Sequence, residues 1–283
     1  MKEYDKETLE KVQQLELEIL KDFVDICQQN DIPYFGIAGT GIGALRHQGF
    51  IPWDDDIDIG LLREDYERLL NIVERELSNK YQIMNFDHNN NYPLMTSRIM
   101  LKGTKFREES LKKIDCPLGI FLDIYAFDNV SDDEKEFRKQ ARDAFFWSKL
   151  LILRSIPFPV LAFGGVKAKM VHIICAVVHF FLVLFRVPKR KIYEKCYEAS
   201  TRFNNCKTTK RIDFLCDTNA HMNLVEREKV FPLRKRSFEG MELFFPNDLD
   251  GYLRSMYGDY MKLPPKEKRK NHFPFELDFG EWK

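Results

Sequence analysis

The sequence predicts an α+β fold, in which helices flank a mixed sheet and one helical, partly apolar segment is inserted. Two observations carry this prediction. Apolar residues at helical spacing mark residues 5–29 and 64–77 as amphipathic helices. Short apolar runs bounded by glycine, proline or asparagine have the length and composition of strands, and the clearest are residues 54–59, 81–86, 94–101 and 119–128.

Length and charge limit the classes of protein to which this chain can belong. With 283 residues it can bury a substantial core as one large domain or two small ones. Because 44 Lys and Arg residues balance 44 Asp and Glu residues, no overall positive field attracts nucleic acid, and we expect none as a partner. The 24 phenylalanines favour a packed core or membrane contact over disorder.

Cysteine spacing and the N-terminal residues indicate the compartment. The six cysteines are scattered without a Cys-x-x-Cys pair, so we expect free thiols and no zinc. The first residues, Met-Lys-Glu-Tyr-Asp-Lys-Glu, contain no apolar signal core. We therefore expect a cytoplasmic protein.

Residues 34–62 place glycines ahead of four aspartates within five positions, and the glycines allow two interpretations. From Gly39 they fit the dinucleotide-binding pattern G-x-G-x-x-G/A. However, the helix expected from about residue 41 to 48 is too short for the crossover helix of a dinucleotide fold. In the second interpretation the Gly39-Thr40 turn and a short helix N-terminus hold a nucleotide phosphate, ahead of a strand with a metal-binding Asp-x-Asp. This nucleotidyltransferase-type layout uses every feature of the stretch.

The aspartates indicate a metal site if residues 54–59 form a strand. Alternation then directs Asp54, Asp56 and Asp58 to one face, and Asp55 to the other. Carboxylates two positions apart on one face lie roughly 7 Å apart and repel each other, and Mg²⁺ relieves that repulsion. We therefore expect mutation of Asp55 to cost far less than mutation of Asp56 or Asp58. The alternative is a solvated acidic turn.

Two further charged residues interrupt predicted strands. Asp123 lies in the apolar run 119–128, where an ionised carboxylate is costly unless it is paired or bound to metal, so it is the candidate third carboxylate. The alternative is an exposed residue at the end of the strand. Arg98 lies in the middle of residues 94–101, where it is either exposed on a sheet edge or neutralises phosphate oxygens with its forked guanidinium.

We predict three regions: a catalytic core at 1–131, a helical insertion at 132–205 and a C-terminal part at 206–283 that completes the catalytic domain. Within the insertion, residues 170–187 are the most apolar stretch, but they fall short of the roughly 20 clean apolar residues of a spanning helix. Basic residues flank both ends, which suits a helix in the membrane interface. A buried helix of an accessory helical layer fits the pattern equally well.

In the C-terminal region, a short helix is predicted to end near Tyr257-Gly258. The basic run 266–270 that follows is either solvent-facing or closes over an anionic substrate.

These motifs resemble the LicD family, which includes fukutin and fukutin-related protein, within the nucleotidyltransferase-like fold. The resemblance covers about residues 10–125 and 206–272, and its most specific part is the block that ends in the aspartates. It is carried by Gly39-Thr40, by Gly43-Ala-Leu-Arg-His-Gln-Gly-Phe-Ile-Pro-Trp-Asp-Asp-Asp-Ile-Asp-Ile59, by Phe121-Leu-Asp-Ile124, by Phe238-Glu-Gly240, by Tyr257-Gly-Asp-Tyr-Met-Lys-Leu-Pro-Pro265 and by His272.

The resemblance implies transfer of a phosphorylated alcohol from a CDP-activated donor. The leading candidate for the transferred group is phosphocholine, with CDP-choline as the donor. The acceptor would be a hydroxyl of a cell-surface glycan (teichoic acid, lipopolysaccharide or capsule) or of a lipid-linked glycan, and CMP would be released. The cofactor would be Mg²⁺ or Mn²⁺. Relatives of the fukutin-related type add a cysteine-based zinc site that this sequence lacks, which favours the bacterial phosphocholine branch.

The resemblance also assigns roles to residues. Asp56 and Asp58 would be paired metal ligands, with Asp54 supporting them and Asp123 as the third carboxylate. The catalytic residues would be Asp56, Asp58 and Asp123. Substrate and nucleotide contacts would come from Gly39, Thr40, Arg46, His47, Arg98 and His272.

Three other functions remain open. The same fold could use CDP-ribitol or CDP-glycerol, or could transfer a nucleotide from an NTP with release of pyrophosphate. From a different class, the chain could be a non-catalytic, membrane-associated binding module. Because such glycans are often membrane-linked, the resemblance favours peripheral contact of residues 150–190 with the inner face of the cell membrane, and packing of these residues within the protein stays open.

Overall fold

The computed structural model of the protein describes residues 3–161, 163–206 and 210–282. The helices in this part of the chain are α1 (Lys6–Gln29), α2 (Ala38–Arg46), α3 (Arg63–Glu76), α4 (Glu134–Ser155), α5 (Gly165–Leu184), α6 (Lys189–Thr201), α7 (Arg227–Val230) and α8 (Leu249–Tyr257). The strands are β1 (Phe35–Gly36), β2 (Asp58–Leu62), β3 (Tyr81–Met84), β4 (Ser97–Leu101), β5 (Lys105–Glu108), β6 (Phe121–Val130), β7 (Arg211–Asp213), β8 (Val225–Glu226), β9 (Arg234–Phe238), β10 (Met241–Phe245) and β11 (Pro274–Asp278). The predicted α+β class is confirmed.

The main sheet brings the two predicted acidic segments side by side. Its strands run in the order β1-β2-β6-β4-β3, and β7 and β8 extend it from the far end of β6. Strands β2 and β6 are parallel, with Asp58 opposite Asp123, whereas β4 is antiparallel to β6, with Arg98 opposite Asp123. Three charged residues therefore lie next to one another across three adjacent strands.

Helix α1 is the helix that its pattern predicts. The Asp5 side chain accepts a hydrogen bond from the Thr8 N–H and caps the N-terminus, and the helix ends at Gln29 with Asn30 as its C-cap. Its buried face, which includes Val12, Ile19 and Phe23, lies in the main hydrophobic core.

The structure corrects two details around the aspartates. First, the glycines do not form a turn before a helix: α2 already begins at Ala38, so Gly39 and Thr40 lie in its first turn. This helix packs closely on the loop after it, because a Cβ at Gly43 would lie 2.3 Å from the Gly49 carbonyl oxygen. Second, β2 begins only at Asp58, so the alternation assumed for residues 54–59 does not apply to Asp54, Asp55 and Asp56, which lie in the loop before the strand.

The predicted helical insertion consists of α4, α5 and α6, which lie between β6 and β7 in the sequence. Helix α4 packs along α6, and α5 contacts α4. The structure describes all residues of α5, and Ala168 alone among them is buried. The alternative of a helix buried within this chain is therefore wrong. Helix α5 is long and apolar enough to cross a membrane by length and composition.

The C-terminal residues join the main core. Phe238, Phe245 and Leu249 are buried in the same cluster as the residues of α1 and β2. Helix α8 ends at Tyr257, as predicted, and Gly258 follows it with a φ of 66°, a conformation that favours glycine.

Candidate active site

Three carboxylates converge at the start of β2 and β6. Asp56, Asp58 and Asp123 each offer one oxygen, and these oxygens lie within 4.8 Å of one another. Asp58 and Asp123 come from paired positions of the two parallel strands, and Asp56 comes from the loop before β2. The three side chains are buried, with 6–7% of each residue exposed. The structure thus brings together the three aspartates that the sequence singled out; we call them the carboxylate triad.

The triad is electrostatically unfavourable when it is fully ionised. Burial, followed by the neighbouring carboxylates of Asp56 and Asp123, raises the pKa of Asp58 well above its ordinary value. Burial raises the pKa of Asp56 to about 6, although His272 acts in the opposite direction. The Oδ1 atom of Asp58 is buried and has no hydrogen-bond partner among the described residues.

A divalent cation fits this arrangement. Mg²⁺ and Mn²⁺ prefer oxygen ligands, and convergent carboxylates with an unpartnered buried oxygen supply them. An ion at this point would offset both the mutual repulsion and the desolvation of the triad.

Asp54, the expected supporting ligand, lies outside the triad. It lines the cleft beside the triad, and its Oδ2 atom packs against the α carbon of Gly39, where an added Cβ would lie 2.6 Å away. Burial raises the pKa of Asp54 as well, with further contributions from Asp56 and Asp58.

Arg98 is placed differently from the expected phosphate contact. Its Nε donates to Asp123 Oδ1 at 3.0 Å, while Nη1 and Nη2 donate to the two carboxylate oxygens of Glu108 at 2.5 and 3.0 Å. Arg98 is 2% exposed, and its guanidinium also lies 3.7 Å from the centre of the Phe121 ring. Its donors are directed at these two carboxylates, so the geometry gives Arg98 a positioning role for Asp123.

Asp55 joins the N-terminal and C-terminal segments to the site. It is fully buried and accepts hydrogen bonds from the Tyr4 hydroxyl at 2.6 Å and from the His272 backbone N–H at 2.7 Å. The Nδ1 atom of His272 lies 3.2 Å from Asp56 Oδ2. The Asp56 carboxylate is the main reason that the pKa of His272 is raised well above its ordinary value. Asp55, Asp56 and His272 form a second group with metal-binding spacing, but Asp55 is already engaged by Tyr4 and His272.

Thr40 and Gly39 serve the site in different ways. The Thr40 side chain is buried, and its Oγ1 accepts a hydrogen bond from the Asp58 N–H at 2.8 Å, so it positions the strand that carries Asp58. Gly39 lines the cleft in the first turn of α2. No side chain caps that helix, so its first N–H groups suit an anionic oxygen. A phosphate-holding role for this turn stays a prediction.

The cleft that Asp54, Asp56 and Asp58 line has a volume of about 430 Å³ and a basic rim. Arg46 lines it and donates through Nη1 to the Tyr260 carbonyl oxygen and through Nε to His47. His47 does not itself line the cleft. The rim contains part of the 266–270 run that the sequence left open, and its basic residues are Arg46, Lys262, Lys268, Arg269 and Lys270. Aromatic side chains in the lining are Trp53, Tyr257 and Tyr260.

Sequence reasoning missed Glu16 and Glu108. Glu16 of α1 is 1% exposed, and neither carboxylate oxygen has a hydrogen-bond partner among the described residues. Burial, followed by the Asp56 and Asp55 carboxylates, raises its pKa well above the ordinary value. A signal for Glu16 exists in the sequence, because it lies four residues after Val12 on the apolar face of the helix. No comparable local signal marks Glu108.

Comparisons with known proteins give further findings. A family model described as LicD/FKTN/FKRP, nucleotidyltransferase domain, matches residues 31–169. A lipopolysaccharide cholinephosphotransferase, LicD of Haemophilus influenzae, is 28% identical over 286 residues, which cover 94% of this chain and 96% of that protein. An uncharacterised protein of Rickettsia prowazekii is 45% identical over 56 residues, which cover 20% of this chain and 21% of its own. An uncharacterised protein of Rickettsia typhi is 36% identical over 83 residues, which cover 29% of this chain and 26% of its own.

Proposed function

The chain belongs to the LicD family through the domain that spans residues 31–169, and from this premise we propose that it is a metal-dependent phosphocholine transferase. The donor is CDP-choline, the acceptor is a hydroxyl of a lipopolysaccharide, and CMP is the second product. The similarity to the Haemophilus influenzae cholinephosphotransferase, which extends over 94% of this chain, supports the transferred group and the acceptor class.

One observation carries the proposal: two members of a triad of buried carboxylates, Asp56 and Asp58, line a cleft whose rim is basic. A diphosphate with its bound divalent cation has this charge pattern, since the cation faces carboxylates while the outer phosphate oxygens face Lys and Arg. A dinucleotide fold needs one acidic residue for a ribose and offers no reason to bury three.

The residues divide the work according to their positions. Asp56, Asp58 and Asp123 would hold Mg²⁺ or Mn²⁺, which when bound stabilises the charge that develops on the diphosphate. Arg98 and Thr40 fix two of these ligands, through the Asp123 side chain and the Asp58 backbone. The phosphate oxygens would contact the first turn of α2 at Gly39 and the side chain of Arg46. The raised pKa of His272 favours its protonated form beside Asp56, where it would stabilise the phosphate oxygens as well.

The aromatic lining suits the choline end of CDP-choline. Tyr257 is 40% exposed and lines the cleft, so its ring can face a quaternary ammonium group. Trp53 carries the Arg269 guanidinium over its ring at 4.1 Å, which places a positive charge at the rim near the triad.

A donor panel tests the proposal. Purified protein with Mg²⁺ and total surface glycan is given CDP-choline, CDP-ribitol, CDP-glycerol or CTP, and CMP and pyrophosphate are measured. Among the four donors, we expect CMP release only from CDP-choline. No CMP should be released when EDTA is present or when the Asp58→Asn variant is used. The matched control is Asp25→Asn, which changes an exposed carboxylate of α1 and should keep full activity.

Each alternative has its own outcome in this panel. CMP from CDP-ribitol or CDP-glycerol alone would replace choline with another alcohol, and pyrophosphate from CTP would indicate nucleotide transfer. Purified lipopolysaccharide, teichoic acid and capsule, supplied separately, distinguish the acceptors. Full activity of Asp58→Asn would contradict the assignment of the triad. Absence of turnover and of metal-dependent CDP-choline binding in calorimetry would favour a non-catalytic module.

A further inference from the structure

Helix α5 and the segment before it form a large apolar surface that the rest of the chain leaves uncovered. We call this the α5 surface; its exposed side chains are Phe158, Val160, Phe163, Val166, Met170, Ile173, Ile174, Val177, Phe180, Phe181, Val183, Leu184 and Phe185. Scattered single apolar residues are ordinary on a protein surface, but a continuous set on one helix marks an interaction site.

The two histidines of α5 face the protein, and beyond Lys169 the exposed side chains of the helix are all apolar. His172 Nε2 lies 2.9 Å from the Pro159 carbonyl oxygen, and His179 Nδ1 lies 2.7 Å from the Leu153 carbonyl oxygen. These contacts, with the end of α4 and the segment that follows it, fix the rotation of α5 about its own axis. The side opposite the histidines is therefore presented in one orientation.

The charges within the segment that contains the α5 surface are all of one sign, although Arg190 near its end is paired with Asp87. Residues 144–193 contain eight Lys and Arg residues and no Asp or Glu. Lys167 and Lys169 lie in the first turns of α5, and Arg186 follows its C-terminus. An apolar strip with positive charge at both ends is complementary to a lipid surface with anionic headgroups.

We propose that the α5 surface docks on an anionic lipid bilayer, with α5 lying in the plane of the membrane interface. Apolar side chains of the outer side enter the acyl region, and the basic residues at both ends remain at the level of the headgroups. This inference does not rest on the proposed transferase activity.

The charge pattern disfavours the other two occupants. In a pair of copies joined through α5, both parallel and antiparallel arrangements bring basic ends together, and residues 144–193 supply no acidic partner. A helix that crosses the bilayer would place the segments before and after α5 on opposite sides, whereas α4 and α6 pack along each other. It would also separate His172 and His179 from their carbonyl partners. A helix in the interface keeps all of these contacts.

A flotation experiment with vesicles tests the proposal on the full chain. Vesicles of phosphatidylcholine with 0% or about 30% phosphatidylglycerol are used at low and high salt, since charge attraction at a membrane is screened by salt. The test variant is Phe180→Glu, and the control is Phe275→Glu on β11; both phenylalanines are 59% exposed. Circular dichroism checks that both variants fold.

We expect the chain and Phe275→Glu to float with the anionic vesicles, less so at high salt, and to leave the vesicles in alkaline carbonate. Phe180→Glu should bind at least about tenfold more weakly, because a charge enters the apolar side of the helix. Absence of flotation, or equal flotation of the two variants, would overturn the proposal. If the bound protein stayed with the vesicles in alkaline carbonate, α5 would span the membrane instead of docking on it. Light scattering without lipid gives the oligomeric state. A dimer mass that is lost in Phe180→Glu would show that the α5 surface binds a second copy of the chain instead of a bilayer.

Discussion

Asp58 and Asp123 are directly opposite each other on two parallel strands, β2 and β6, and their carboxylates converge with that of Asp56. Parallel pairing sets this relationship, because it brings the same ends of both strands to one edge of the sheet. Two acidic residues at paired positions in a buried sheet destabilise the fold unless a cation or protons compensate them. This part of the sheet is therefore arranged for binding at the expense of stability.

The first prediction follows from that conflict. Asp58→Asn keeps the size of the side chain and removes one charge, so the metal-free protein should become more stable, by on the order of 1 kcal/mol. Activity should fall at least about a hundredfold, because the proposed metal site loses one of its ligands. Thermal unfolding in EDTA and CMP release measure the two effects. If Asp58→Asn in EDTA melted at a lower temperature than the unchanged protein in EDTA, the Asp58 charge would not destabilise the metal-free fold, and this explanation would be wrong.

The second prediction concerns pH and metal. The folded-state pKa of Asp56, about 6, lies above its ordinary value of 3.8, so without metal its contribution to stability falls as pH rises from about 4 to about 6. The raised pKa of His272 acts in the same sense, because the stability from its protonated form is lost as pH rises through the folded pKa. Metal binding needs the ionised carboxylates, so the stabilisation by Mg²⁺ should grow with pH.

Melting temperatures with EDTA or Mg²⁺ between pH 5 and pH 8 measure this effect. The difference between the two series should increase toward pH 8 in the unchanged protein and should be nearly absent in Asp58→Asn. A difference that is constant with pH would show that the triad does not change protonation when metal binds.

The third prediction concerns the buried ion pairs of Arg98. Arg98→Met leaves Asp123 and Glu108 buried without their cation, so we expect a loss of about 3–5 kcal/mol in the free energy of unfolding. Adding Glu108→Gln removes one of the two uncompensated charges and should restore part of that loss. Urea unfolding of the two variants gives the values, and a double variant that is less stable than Arg98→Met would exclude this explanation.

Asp55 is the subject of the fourth prediction, and its placement changes what the sequence indicated. The sequence predicts that mutation of Asp55 costs far less than mutation of Asp56 or Asp58. In the structure Asp55 accepts hydrogen bonds from Tyr4 and from the His272 backbone, so Asp55→Ala should lower stability by about 1–3 kcal/mol. Asp58→Asn should show the opposite pattern: it should lose more activity than Asp55→Ala and should lose no stability.

Tyr4→Phe separates the two partners of Asp55. It removes the hydroxyl donor alone and should lower stability by about 1–2 kcal/mol, while the contact with His272 keeps the C-terminal segment at the site. Unfolding and CMP-release assays on the three variants distinguish the roles. If Tyr4→Phe and Asp55→Ala abolished activity without a change in stability, Asp55 would act in the chemistry itself.

The sequence predicts those features of the fold that depend on local pattern. Residues 5–29 read as a helix because apolar side chains recur on one face, and the structure has α1 at Lys6–Gln29. The candidate third carboxylate was found because an ionised aspartate in an apolar run needs compensation. Both inferences use information that lies within one segment.

Features that depend on distant segments could not be predicted in this way. The first turn of α2 is helical where glycines suggested a turn, because α2 packs on the Gly49 loop and against α8. Asp55 and His272 are separated by 217 positions, and the ion pairs of Arg98 join three strands. No periodicity within one segment reveals such contacts, since they depend on the register of the finished sheet.

The last prediction compares two glycines of α2. A Cβ at Gly43 would lie 2.3 Å from the Gly49 carbonyl oxygen, which belongs to the backbone and cannot rotate away. A Cβ at Gly39 would lie 2.6 Å from Asp54 Oδ2, which is the end of a side chain that can rotate. Gly43→Ala should therefore destabilise the protein by about 1–3 kcal/mol, whereas Gly39→Ala should leave stability within about 1 kcal/mol.

The effects on activity should run the other way. Gly39→Ala displaces the Asp54 carboxylate at the cleft and covers the N–H groups of the first helical turn, so CMP release should fall at least about tenfold if a phosphate binds there. Gly43→Ala, assayed at a temperature where it remains folded, should keep most of its activity. Full activity of Gly39→Ala would exclude the first turn of α2 as the phosphate site, because the added methyl group lies between that turn and Asp54.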